Sequence, residues 1–173
     1  STSGTGTEGT DYSTISDITL TAGKTTGTAS FTPTDDSVYE GNETGVVAIS
    51  TVSGGSANES GTPQEVTITI NDNESAPTVT LSSSATSISE DAGSSLTLTA
   101  TLSVATTADV TVGISTSGTG TEGTDYATIS DITISAGATT GTASFTPTDD
   151  SIYEGDETGI VAISTVSGGS ATE

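Results

Sequence analysis

The chain has no cysteine, histidine, arginine, methionine or tryptophan, and a single basic side chain, Lys24, stands against 23 carboxylates. These absences close most routes to chemistry. There is no thiol or imidazole for nucleophilic or general-base work, or for holding the softer metals. A formal charge of −22 repels phosphate, so nucleic acid is excluded as a partner. A carboxylate-pair hydrolase is the one enzyme class left, and 3% aromatic residues offer little to hold a substrate, so a non-enzymatic role is expected. No run approaches the roughly 18 consecutive apolar residues of a membrane span, and no membrane insertion is expected. The first residues lack the basic, apolar and small-residue progression of a secretory leader, which predicts a start inside a longer protein. Missing cysteine does not point to the cytosol, because bound metal can replace the disulfide staple of an extracellular domain.

Low hydrophobicity with high net charge is also the composition of disordered chains. Pattern decides against that reading. Residues 1–59 recur almost unchanged as residues 115–173, a spacing of 114 from Ser1 to Ser115. Such a period is a whole domain rather than one turn of a solenoid. Leu20/Ile134, Val38/Ile152 and Val46/Ile160 are volume-matched exchanges of the kind buried sites tolerate. Lys24/Ala138 and Asn58/Thr172 read as solvent positions. Val66, Ile68 and Ile70 alternate with threonine, as do Leu96, Leu98, Ala100 and Leu102. Val110, Val112 and Ile114, then Ile132 and Ile134, then Ala143 and Phe145 continue the period of two, with turn residues between the sets. The expected fold is all-β, with tandem immunoglobulin-like antiparallel β-sandwiches. The run Ile70-Asn71-Asp72-Asn73-Glu74-Ser75-Ala76-Pro77 reads as a linker. It divides a module at 1–75, missing its opening strands, from one at 76–173, missing its last, so both sandwiches are expected to be truncated by the fragment ends.

The carboxylates gather at strand ends, at Glu90-Asp91, at Gly123-Thr124-Asp125-Tyr126, along residues 149–157 and at Asp72-Asn73-Glu74. Alternate loops of an antiparallel sandwich fall at one pole, so these clusters can converge. Converging like charges repel unless a cation sits among them, and calcium, with six to eight oxygen ligands, suits flexible acidic loops. Asp125 has a plainer alternative as a turn residue that bonds its own backbone, with Tyr126 as a core plug. Asp91, Asp109, Asp131 and Glu122, with Asp17 and Glu8 in the other copy, read as surface charge, and Asp156 as peripheral. Asn42, Asn58 and Asn73 begin Asn-x-Ser/Thr sequons, two of them inside the acidic loops, where a glycan would collide with ligand geometry.

The succession Ser-x-Ser-Glu-Asp-x-Gly, Gly-Thr-Asp-Tyr, Ile-x-Ala-Gly, Asp-Asp-Ser-Ile-Tyr-Glu-Gly-Asp-Glu-Thr and Ile-Thr-Ile-Asn-Asp-Asn-Glu resembles the Calx-beta domain of sodium/calcium exchangers and large bacterial adhesins. The resemblance covers the whole chain. It implies Ca2+ held in the second module by Glu90, Asp125, Asp149, Asp150, the carbonyl of Ile152, Glu154 and Glu157. In the first module it implies Asp11, Asp35, Asp36, the carbonyl of Val38, Glu40 and Glu43, followed by Asp72 and Glu74. Asn73 departs from the family, keeping an oxygen where a third acid is usual. The counterpart of Glu90 is missing from the first module and that of Asp72 from the second.

The expected role is a calcium-binding extender of a large extracellular or cell-surface protein, with calcium stiffening the linkers between modules. Its expected partners are neighbouring copies of the module, in cis or in trans, and the full protein's adhesion ligand is not specified by the sequence. The alternatives are a strand-complemented, self-assembling extracellular filament subunit and a calcium-sensing regulatory module.

Overall fold

A computed structural model of the chain describes residues 1–61 and 64–173. The chain forms two units, Ser1–Asp36 with Gly41–Asn73, and Ser37–Glu40 with Glu74–Glu173. The break between Asn73 and Glu74 falls inside the acidic run read as a linker. The short segment Ser37–Glu40, which the sequence places in the first module, groups with the second unit. No helix among the described residues is long and apolar enough to cross a membrane.

In the first unit, β1 (Thr2–Gly4), β3 (Glu43–Ala48) and β4 (Glu65–Ile70) form one antiparallel sheet in the order β1-β3-β4. The Val-Thr-Ile-Thr-Ile alternation of β4 pairs along its length with β3, from Glu43 opposite Ile70 to Ala48 opposite Glu65.

The second unit contains β2 (Val38–Tyr39), β5 (Val79–Ser83), β6 (Leu96–Leu102), β7 (Ala105–Thr106), β8 (Val110–Gly118), β9 (Ile132–Ile134), β10 (Thr140–Phe145) and β11 (Gly159–Ser167). Two antiparallel sheets, β10-β6-β5 and β11-β8-β9, make the sandwich, and β2 pairs with β7 in parallel. Leu98, Ala100 and Leu102 of β6 meet Val110, Val112, Ile132 and Ile134 of the facing sheet in one core. Period-two side chains place those residues on inner faces while the intervening threonines point away. The C-terminal residues close the fold, with the Val79 N–H donating to the Thr172 carbonyl at 2.8 Å and Ala171 buried in the core.

The exchanges between copies divide into two kinds. Ile134 is fully buried, but its counterpart Leu20 is 55% exposed, and Ile152 and Ile160 are 64% and 56% exposed. Equal volume at those sites therefore does not mark burial in both copies. Ala138, expected in solvent, is packed against the core. Strand β8 runs four residues past Ile114, because Ser115–Gly118 stay in register with Ala162–Gly159 of β11 despite their polar side chains. Gly118 ends it at φ +122°, where a Cβ would stand 2.1 Å from the Thr158 carbonyl oxygen, so no other residue fits.

Candidate metal centre

Two short loops of the second unit build an acidic cluster, and backbone bonds hold them together. After β8 the chain turns tightly, with the Asp125 N–H and the Thr124 N–H both donating to the Thr121 carbonyl. Asp125 Oδ2 accepts the Thr121 N–H at 2.6 Å, which is the turn role the sequence allowed for it. Tyr126, next in line, is buried and stacks on Phe145 with ring centroids 4.7 Å apart. That plug anchors Asp125 at the end of the sandwich. The Asp125 carbonyl then accepts the Thr148 N–H at 2.9 Å, tying the turn to the start of the β10–β11 loop.

That loop carries Asp149, Asp150, Glu154 and Glu157. One carboxylate oxygen from each of Asp125, Glu154 and Glu157 lies within 4.8 Å of the others. Loss of hydration around the Glu154 carboxylate, then the charges of Asp125, Asp150, Glu157 and Glu90, hold its pKa above the ordinary 4.5. Four of the predicted ligands therefore press their charge on a fifth. Asp125 both turns the backbone and faces the cluster, so its two readings are not exclusive. Asp150 is partly engaged, accepting the Ile152 N–H at 2.6 Å. Asp149 is exposed and lies outside the group of three, as do Asp150 and Glu90. Ile152 sits with Glu90 and Glu154 in the lining of an open cleft.

In the first copy, Asp11, Glu40 and Glu43 make a group of the same kind. Partial burial raises the Glu43 pKa, followed by the charge and hydrogen bond of Asp11 and the charge of Asp72. Asp72 accepts the Gly41 N–H, and its own N–H donates to Asn42 Oδ1 at 3.1 Å. Asn73, expected to offer an oxygen, instead donates its Nδ2 to Asp35 Oδ1 at 3.1 Å. Asp36 is exposed, while Val38 in β2 and Glu74 are half-buried.

Several acids read as surface charge turn out to bond the backbone. Glu122 takes the Thr116 hydroxyl at 2.6 Å and the Ile129 N–H at 2.8 Å, and Glu8 does the same with Thr2 and Ile15 in the first copy. Asp131 accepts the Ile114 N–H and Asp109 the Ala136 N–H, so carboxylates extend the β8–β9 ladder at both ends. Asp91 accepts the Ser89 hydroxyl. The available signal was position: each stands beside a turn whose N–H groups need an acceptor.

The two sets of glutamates should titrate in opposite directions. Hydrogen bonds from Thr2 and Ile15 lower the Glu8 pKa, and those from Thr116 and Ile129 lower that of Glu122, below the ordinary 4.5. Their contribution to stability is present above 4.5 and is lost as pH falls through the lowered values. For Glu154 and Glu43 the sign reverses, and without metal the fold gains as pH falls through their raised values. Carboxyl NMR titration of the calcium-free chain should place Glu154 and Glu43 above 4.5 and Glu8 and Glu122 below it. An unshifted Glu122 would contradict its bonds to Thr116 and Ile129.

The donor set fits calcium. Oxygens on one calcium ion at about 2.3–2.6 Å stand at most about 5 Å apart, and the group within 4.8 Å meets that limit. Residues 74–173 contain no basic side chain to neutralise it. A family model of the Calx-beta domain matches residues 1–74 and again residues 72–172. Among curated proteins, none matches the chain.

Proposed function

Since the chain belongs to the Calx-beta domain family, as two tandem copies, we propose that it is a calcium-binding structural repeat of a large extracellular or cell-surface protein. Domains of this family are non-catalytic β-sandwiches often associated with calcium. The observation that carries the reading is the meeting of Asp125, Glu154 and Glu157, from two loops, in a unit without a basic side chain. Self-repulsion opposes that arrangement, and a divalent cation removes the opposition. Glu90, Asp150 and the carbonyl of Ile152 are the further oxygens within the loops that would complete a sphere. Extracellular modules bind calcium with Kd near 10⁻⁴ to 10⁻³ M, so millimolar calcium fills such sites.

The proposed mechanical role follows from where the acids stand. Asp72 and Glu74 flank the break between the two units, and ions held there would restrict the residues around it. Neighbouring copies in a tandem array are the partners this role needs, and calcium becomes a control on stiffness. Small-angle scattering of the chain in 2 mM calcium and in excess chelator tests it, with concentrations chosen from the affinity range above. Calcium should narrow the distribution of dimensions, and chelation should broaden it. Identical curves in both conditions would remove the stiffening role while leaving calcium binding to be judged by titration calorimetry.

A further inference from the structure

The 114-residue repeat lets one copy act as a control for the other. Ile132 and Ile134 are 0% exposed, and their counterparts Ile18 and Leu20, in the same Ile-Ser-Asp-Ile-Thr sequence, are 54% and 55% exposed. The difference does not come from a collapsed first unit. Thr2 faces Val47 there as Thr116 faces Val161, and Tyr12 stacks on Phe31 at 4.5 Å as Tyr126 stacks on Phe145. A Cβ on Gly27 would stand 2.8 Å from Ile18 Cγ2, and one on Gly141 2.9 Å from Ile132 Cγ2, so the segments carrying these residues approach equally closely in both copies. The first unit holds the same apolar face, already shaped.

In the second copy the cover is known. Strand β6 pairs with β10 from Leu96 opposite Phe145 to Thr101 opposite Thr140, and Val110–Val112 of β8 pairs with Ile134–Ile132. Strand β5 flanks β6, and Leu98, Ala100 and Leu102 lie in the core with Ile132 and Ile134. We propose that the face bearing Ile18 and Leu20 is the docking surface for a segment with the sequence chemistry of residues 76–114, supplied by a further copy of the repeat. Its β6-like strand would pair along residues 26–31, and its apolar alternation would cover Ile18 and Leu20.

A second copy of this chain is a poor occupant by count. Each chain presents two such faces and one such hairpin, so exchange between chains uncovers as much apolar surface as it covers. The charge of −22 also opposes association of whole chains. A spare hairpin from another repeat has neither problem, and it adds strands by main-chain pairing with side-chain pockets setting the register.

The test uses the full chain with a fluorescent synthetic peptide of residues 76–114, and in parallel a chain with the same residues joined ahead of Ser1. The peptide should bind one to one, and amide exchange at residues 18–31 should slow in both formats. Leu20→Asp, at an exposed site that leaves the unit folded, should weaken peptide binding at least tenfold, while Leu20→Ile should not. The proposal is overturned if neither format protects residues 18–31, or if Leu20→Asp binds the peptide unchanged. It is equally overturned if the chain alone dimerises through this face and Leu20→Asp makes it monomeric, since the occupant is then a second chain.

Discussion

Replacing Asp125, Glu154 and Glu157 together by Asn, Gln and Gln should abolish the calcium response of the second unit while making its calcium-free form harder to unfold. The two effects have one cause. In the unmodified chain the three carboxylates share a space 4.8 Å across and their charges oppose one another, which is why Glu154 is reluctant to ionise. Neutral amides keep the size of the side chains, and the Asp125→Asn amide retains an oxygen for the Thr121 N–H, so the turn survives and the repulsion does not. Calcium at 100 times its Kd stabilises a binding unit by about 2.7 kcal/mol. For a unit of 60–100 residues that corresponds to a melting-temperature rise on the order of 10 °C.

The measurement is a pair of melting curves, with calcium and with chelator, for the unmodified chain and the variant. The unmodified chain should show a calcium-dependent upper transition, and the variant should melt at one temperature in both conditions, above the unmodified chain in chelator. A variant that still gains from calcium would move the ion to other oxygens, with Asp149 and Asp150 first in line. A variant less stable than the calcium-free parent would mean that these acids serve the fold through contacts other than repulsion.

The sequence revealed the strands and the acidic cluster through different kinds of signal. Leu98, Ala100 and Leu102 alternate with threonine, and alternation is the direct imprint of a pleated strand with one wet face. Asp125 and Glu157 are 32 positions apart, and only the rule that alternate loops share a pole brings them together; the structure does so through the Tyr126 plug and the Asp125–Thr148 bond. Glu122 was invisible because a carboxylate that bonds two backbone-linked donors looks, as a letter, like one in solvent. Asn73 shows the same limit, since an amide carries both an oxygen and a donor and only Asp35 beside it decides which is used. Burial is the least legible property. Ile18 and Ile132 have the same neighbours in sequence, and what lies over each is set by strands tens of residues away.

That last contrast yields the second large effect. Ile132→Ala should cost the second unit about 2–5 kcal/mol, the range for truncating a fully buried aliphatic side chain and leaving a cavity. Ile18→Ala, the same change in the same local sequence, should cost the first unit about 0.5 kcal/mol or less, because its side chain is already 54% exposed and the change opens no cavity. Denaturant unfolding followed by amide exchange reads the two units separately, so each variant is scored in its own unit. Equal losses would mean that the first unit buries Ile18 in solution and that its apolar face is already covered. Unequal losses that become equal once residues 76–114 are joined ahead of Ser1 would show the burial being conferred by the docked strands, since the two isoleucines then differ in nothing but the copy that holds them.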